Sequence, residues 1–463
     1  MTAATKAERK VEGFVVRRDR LGDTARLAPS DSLDGGVSSG DGRRRSRASA
    51  VGGLGITVLT TSAMGYALLL LAGRHLTAVE NAVFLGFWGL LMGVGSALSP
   101  VEQELSRQTA VASARGHKPD LSVARTFAVT QTVAIAVAAV LAVPAVNAQL
   151  FDQHRELALV AGCGIVAFPA LYAIRGLFIG AGQNGRYSAI LLAEAAARLL
   201  PFVGFVVAGV SGLTWIAVAV AAGSCAWLPF ALRTRGLVEP SRSSEPWGAL
   251  WRRMLGLIVS AALTASVLTG YPAVVKLVAP RGSEDALGGL FLAVSLLRSP
   301  LLLVLAPIQT LAVPTVVRVL HQPDGTRRLR RFAALGAGGT LVVGLAVGAA
   351  AYVAGPWVFH LLYKDKFAVS AWTMAGLGWS GIALAATMLT VAVLVARKQT
   401  GRVVTLWAVV AGLSLLVLLA SPGGIMFRAV LGATVAPTIG LAVALALVVA
   451  ARDTAAGDDG APR

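Results

Sequence analysis

Charge is scarce in this chain and cysteine almost missing. Of 463 residues only 14% are charged, against about 25% in an ordinary soluble domain, which excludes a soluble globular fold. Cys163 and Cys225 are the only cysteines, and both fall inside apolar runs. That leaves no disulfide framework and no thiol spacing for a metal; they read as small apolar residues. His75, His117, His154, His321 and His360 lie in or near loops without zinc spacing. No Ser/His/Asp or paired-carboxylate constellation is present either. No enzyme chemistry, metal or cofactor is therefore expected. Acids are the minority sign, 23 against 41 lysines and arginines. The basic residues are spread over many connections, so no nucleic acid is expected as a partner.

What the chain does have is apolar length. A run of about 20 apolar residues crosses a ~30 Å hydrocarbon core as a helix, because lipid offers no partner to free backbone groups. Twelve such runs are predicted, at 53–73, 81–101, 124–147, 157–181, 188–209, 213–232, 254–275, 287–313, 332–355, 370–395, 403–420 and 428–451. The expected class is an all-α polytopic membrane protein with about 12 transmembrane helices. The basic residues fix its orientation. Counting both tails, 32 of the 41 fall on one side and seven on the other, leaving Arg198 and Arg298 within helices. By the positive-inside rule both termini face the cytoplasm. Connections on the opposite side are short, which argues against a polymerase or transferase with an external acceptor domain.

Residues 1–50 are rich in Ser, Gly, Asp and Arg without apolar period, and are expected to be a disordered cytoplasmic tail. No short apolar segment follows the basic start, so no signal peptide is expected. Arg43, Arg44, Arg45 and Arg47 would attract anionic membrane lipids, or merely retain the N-terminus in the cytoplasm. A cytoplasmic linker, 233–253, divides six predicted helices (51–232) from six (254–451), with a short tail at 452–463. Gln183-Asn184-Gly185-Arg186 and Gln399-Thr400-Gly401-Arg402 stand at equivalent places six helices apart. They point to a parallel repeat, hence two six-helix bundles around a central cavity. Gly180-Ala181-Gly182-Gln183-Asn184-Gly185 matches GxGxxG literally. Without a preceding strand it is no dinucleotide fingerprint; the glycines are read as a tight turn between closely packed helices.

Arg175-Gly176-Leu177-Phe178-Ile179-Gly180, continuing through the turn to Arg186-Tyr187, resembles the connection between helices 4 and 5 of polysaccharide and lipid-linked oligosaccharide exporters. Gly73-Arg74-His75-Leu76-Thr77-Ala78-Val79-Glu80 is similar to that family's first outer loop, and Gly95 through Arg107 to the end of its second helix. Asn81-Ala82 stands where the family has an aromatic-Gly pair. The resemblance is to the MOP superfamily of multidrug, oligosaccharidyl-lipid and polysaccharide exporters. It implies a flippase that moves an undecaprenyl-pyrophosphate-linked glycan across the cytoplasmic membrane for cell-envelope polysaccharide synthesis. A coupling ion, H+ or Na+, and envelope biosynthesis enzymes as neighbours are implied with it.

Charges inside membrane helices are costly and usually face a cavity or a partner. Glu194 and Arg198 share one helix face four residues apart. Arg198 would meet a pyrophosphate while Glu194 holds it or senses a proton; alternatively the two neutralise each other in packing. Glu194 is expected to be the only acid deep in the spans. Arg298 has no acid nearby in sequence, which suits an anionic ligand. Arg175 and Lys276 lie near span ends, as substrate contacts or as snorkelling side chains. Trp227, Trp247, Trp357 and Trp372 read as interface anchors. The competing functions are a drug or metabolite antiporter of the same superfamily and a scaffold for envelope enzymes acting through the tail. The first predicted helix lacks the acid common in proton-coupled drug exporters. The connection after helix 2 lacks the basic-acidic signature of a major-facilitator transporter.

Overall fold

A computed structural model of the chain describes residues 38–152, 154–210, 212–234, 236–239, 246–298, 316, 319, 322, 325–367, 369–397 and 399–450. The described residues are helical, without a strand. Residues 38–50 group apart from residues 51–463. In chain order the helices are α1 (Ser38–His75), α2 (Ala78–Leu98), α3 (Pro100–Ala114), α4 (Ser122–Leu141), α5 (Pro144–Phe151) and α6 (Glu156–Gly180). Then come α7 (Asn184–Val207), α8 (Leu213–Ala222), the single turn α9 (Leu228–Ala231), α10 (Trp247–Leu268), α11 (Tyr271–Val278) and α12 (284–298). The remainder is α13 (Gly325–Tyr363), α14 (Ala371–Ala396), α15 (Thr400–Ala420) and α16 (Ile425–Ala450).

Eleven helical stretches among the described residues are long and apolar enough to cross a membrane. They coincide with eleven of the predicted runs; most of the other, 287–313, lies outside the described residues. This is a multi-pass membrane protein. Three boundaries differ from expectation. The first helix starts at Ser38, inside the segment expected to be disordered. The third run splits at Ala142-Val143, because Pro144 supplies no N–H and begins α5 instead. The seventh breaks at Thr269-Gly270 for the same reason, with Pro272 in the first turn of α11.

Glycines set the closest contacts. Gly86, Gly89 and Gly93 of α2 lie against Lys276, Pro272-Ala273 and Gly270, so α2 packs along the broken α10–α11 unit. Small residues are how membrane helices approach backbone to backbone. By contrast α1 packs through its last turns: Leu68, Leu69, Ala72 and Leu76 are buried while Ile56 and Leu59 are exposed.

The two Gln-X-Gly-Arg segments adopt one local structure. Gln183 (φ −84, ψ 57) caps α7 and Gln399 (φ −93, ψ 52) caps α15. Each glutamine amide reaches back five residues, to Phe178 and Leu394. Each arginine then donates to its own glutamine Oε1, Arg186 at 2.8 Å and Arg402 at 3.1 Å. Two similar segments thus share one local geometry.

Candidate functional site

The feature that builds the site is a close approach of α6 to α3. A Cβ on Gly176 would stand 2.6 Å from the Glu102 carbonyl oxygen, and one on Gly180 2.6 Å from that of Ser106. Only glycine permits this spacing. It seats the neighbouring Arg175 against Glu102, Nε to Oε2 at 3.1 Å. The chain then turns through Gly182, whose φ of +70 favours glycine, and enters α7. The tight turn is the role read from the GxGxxG spacing; the close glycine packing, by contrast, is of α6 against α3 and not between the two helices the turn joins.

One turn into α7, the Tyr187 hydroxyl donates to Glu102 Oε1 at 2.9 Å. Glu194 accepts from Arg175 Nη1 on Oε2 at 3.1 Å and from Arg198 Nη2 on Oε1 at 2.5 Å. The Arg175 guanidinium lies between the rings of Tyr172 and Tyr187, 5.3 and 5.6 Å from their centroids. Gly223 leaves the room that the Arg198 side chain occupies. The result is an alternating chain Glu102–Arg175–Glu194–Arg198 drawn from α3, α6 and α7, with no net charge. Its side chains are 11–15% exposed, and Arg198 Nε is buried without a hydrogen-bond partner.

Three of the five predicted residues, Arg175, Glu194 and Arg198, thus meet. Glu194 is joined by a second largely buried acid, Glu102, whose helix α3 follows α2 directly past the expected end of the span. Glu104, two residues on, is bound by Arg107 at 2.7 Å and by Arg253 of α10 at 3.0 Å. Arg175 does not snorkel; both of its acidic partners are within the protein.

Lys276 does not snorkel either. It is 2% exposed, and its Nζ meets Glu284 Oε1 at 2.5 Å. The chain folds back at Gly282, where φ is +85, and brings that carboxylate over the end of α11. Burial alone would raise the Glu284 carboxyl, but the Lys276 ammonium and nearby backbone donors hold it below its usual range.

Arg298 stands apart from the cluster and is 3% exposed. Its Nη1 donates to the Val267 carbonyl at 3.2 Å, and its Nη2 to Ser380 Oγ at 2.8 Å and the Ala433 carbonyl at 3.2 Å. Val267 lies in the last turn of α10, whose final carbonyls have no donor within the helix, and Ala433 lies four residues before Pro437, which has no N–H to give it. The Tyr271 ring lies 5.5 Å from the same guanidinium, and its hydroxyl donates to the Ala429 carbonyl. Sequence spacing shows Arg298 without an acid; the structure gives it protein carbonyls instead. No group of His, Cys, Asp and Glu fit for a metal occurs among the described residues.

No protein-family profile matches the chain. An uncharacterised protein of Mycobacterium tuberculosis is 29% identical over 442 residues, covering 92% of this chain and 96% of that one. A second from the same species is 28% identical over 411 residues, covering 86% and 91%. Among solved structures, an inward-facing multidrug-resistance MATE transporter of the MOP superfamily matches with TM-score 0.57 at 16% identity, covering 87% of this chain and all of that chain. The lipid II flippase MurJ in an inward closed conformation matches at 0.58 with 12% identity, covering 85% and 87%. A MOP transporter from Pyrococcus furiosus, described by the reversed polarity of its binding pocket, matches at 0.52 with 14% identity, covering 86% and 94%. The fold is that of MOP-superfamily transporters.

Proposed function

We propose that the protein flips a lipid-linked glycan, carried on undecaprenyl pyrophosphate, across the cytoplasmic membrane for cell-envelope polysaccharide synthesis. One observation carries the reading: the charge balance of the interior. Glu102, Glu104 and Glu194 are each held by arginine, and Arg107, Arg175, Arg198 and Arg253 together outnumber these three acids. An exporter of organic cations needs an uncompensated carboxylate in its cavity; an interior with surplus arginine favours an anion. The fold likeness to a lipid II flippase agrees with that chemistry.

In this reading residues 51–232 and 254–451 form two lobes, with both termini in the cytoplasm. Arg175 and Arg198 exchange part of their bonding to Glu102 and Glu194 for the pyrophosphate, and the lipid tail stays in the bilayer. The lobes then rock, and an ion gradient, H+ or Na+, resets them. Arg298 and Lys276 serve the fold rather than the ligand.

The test is reconstitution into proteoliposomes with a fluorescent undecaprenyl-pyrophosphate oligosaccharide and, separately, with ethidium as an organic cation. Arg175- and Arg198-dependent movement of the glycan lipid is expected. Ethidium transport without glycan-lipid movement would replace this reading with the antiporter, which the MATE likeness favours.

A further inference from the structure

An apolar cavity of about 460 Å³ opens between α13, α14 and α16, with Val316 and Val319 also in its lining. Phe332, Gly336, Leu389, Val393, Leu445 and Val448 line it. Its two hydroxyls are spoken for: Thr340 donates to the Gly336 carbonyl and Thr390 to that of Ala386. The lining therefore offers hydrocarbon and no open hydrogen-bonding group. Gly336 is the telling residue. A Cβ there would meet nothing within 4 Å, so no neighbour among the described residues requires glycine at that place. Elsewhere in this chain, at Gly176 and Gly180, glycine answers to a backbone. At Gly336 it keeps a groove open.

Both walls end in positive charge at the same end. On α13, Arg328 is exposed and stands one helical turn beyond Phe332, bound to Gln322 Oε1 at 2.8 Å. On α14, Arg397 stands one turn beyond Val393, and its Nη1 donates at 3.0 Å to the carbonyl of the lining residue Val448. By the distribution of basic residues this end faces the cytoplasm. An apolar slot that ends in two arginines at a membrane surface complements one kind of molecule: a hydrocarbon chain under an anionic head group.

We infer that this groove holds an acyl chain of an anionic phospholipid of the cytoplasmic leaflet, with its phosphate between Arg328 and Arg397. The site is separate from the Glu102–Arg198 cluster and does not depend on the transported substrate.

Native mass spectrometry of the full-length protein, exchanged into detergent from vesicles of phosphatidylglycerol and phosphatidylcholine, tests it. One phosphatidylglycerol should be retained per chain. Its preference over phosphatidylcholine should be about thirtyfold, the ratio two basic residues near a membrane surface supply together. Gly336→Trp should abolish retention, whereas Gly338→Trp, off the groove and equally open at Cβ, should retain the lipid. Arg328→Ala with Arg397→Ala should erase the preference. A diazirine-acyl phosphatidylglycerol should label the unmodified protein at Leu389 or Leu445, so the outcome does not hang on the Gly336 variant folding. Equal retention of both lipids, labelling elsewhere, or retention of added undecaprenyl phosphate in place of phosphatidylglycerol would overturn the assignment.

Discussion

Arg298 donates a 3.2 Å hydrogen bond to the carbonyl of Ala433, the oxygen that Pro437 strips of its helical donor. The same guanidinium reaches Val267 at the break between α10 and α11. One side chain thus satisfies a carbonyl in a proline-interrupted helix and one at a helix end, and backbone groups left bare in hydrocarbon are expensive.

Arg298→Ala should therefore destabilise the protein. The Val267 carbonyl loses its donor, which costs about 1–3 kcal/mol, while Ala433 keeps Ser380. Arg298→Lys should recover only part, because one ammonium cannot reproduce the planar fork. Thermal unfolding of both variants in detergent checks this. An Arg298→Ala protein that melts at the wild-type temperature but no longer transports would restore Arg298 as a ligand contact.

This residue marks where sequence reading stops. Apolar run length reports what lipid demands of a helix, and basic residues report which side a loop faces, so spans are legible one segment at a time. Partners are not. The carbonyls left free at the end of α10 and by Pro437 cannot be seen as acceptors until three helices meet. Glu102 is hidden differently: it lies one residue past the expected end of the second span, and nothing in the sequence shows that α3 packs against α6 there. The tight turn at Gly182 is legible in the glycine spacing, but that Gly176 and Gly180 answer to α3 is not, because it needs the third helix. That Glu284 turns back onto Lys276 depends on the conformation of Gly282, and no periodicity encodes it.

Glu194 bridges two arginines, so its charge matters more than its shape. Glu194→Gln leaves Arg175 and Arg198 facing each other across a site that is 11–15% exposed. Breaking a buried pair in this way costs about 3–5 kcal/mol. Glu194→Gln combined with Arg198→Gln should regain most of that stability, since the surplus positive charge leaves with the partner. Melting temperatures of the single and double variants decide it. A double variant no better than the single one would mean that the two residues are not coupled.

Glu284 supplies a pH dependence whose sign is fixed by its depressed carboxyl. A folded-state value below the unfolded one, about 4.3, contributes stability that is complete above that pH. The contribution is lost as pH falls through the folded-state value. Between pH 6 and pH 3 the wild type should therefore lose more melting temperature than Glu284→Gln does. Parallel curves for the two proteins would show that the Lys276 contact does not depend on ionisation of Glu284.

The orientation predicts which loops water reaches from outside. In a background with Cys163 and Cys225 replaced by alanine, both being exposed thiols, single cysteines can be placed at Arg281 and His117. Each of these positions is exposed, the first between α11 and α12 and the second between α3 and α4. Basic residues are sparse around the first connection and dense around the second, and the rule that reads them concerns which loops are retained, not net charge. A membrane-impermeant maleimide should label Arg281→Cys in intact cells, and His117→Cys only after permeabilisation. The reverse pattern would invert the protein. It would also place the groove-ending arginines Arg328 and Arg397 on the outer face, where the anionic lipids of the cytoplasmic leaflet could not reach them.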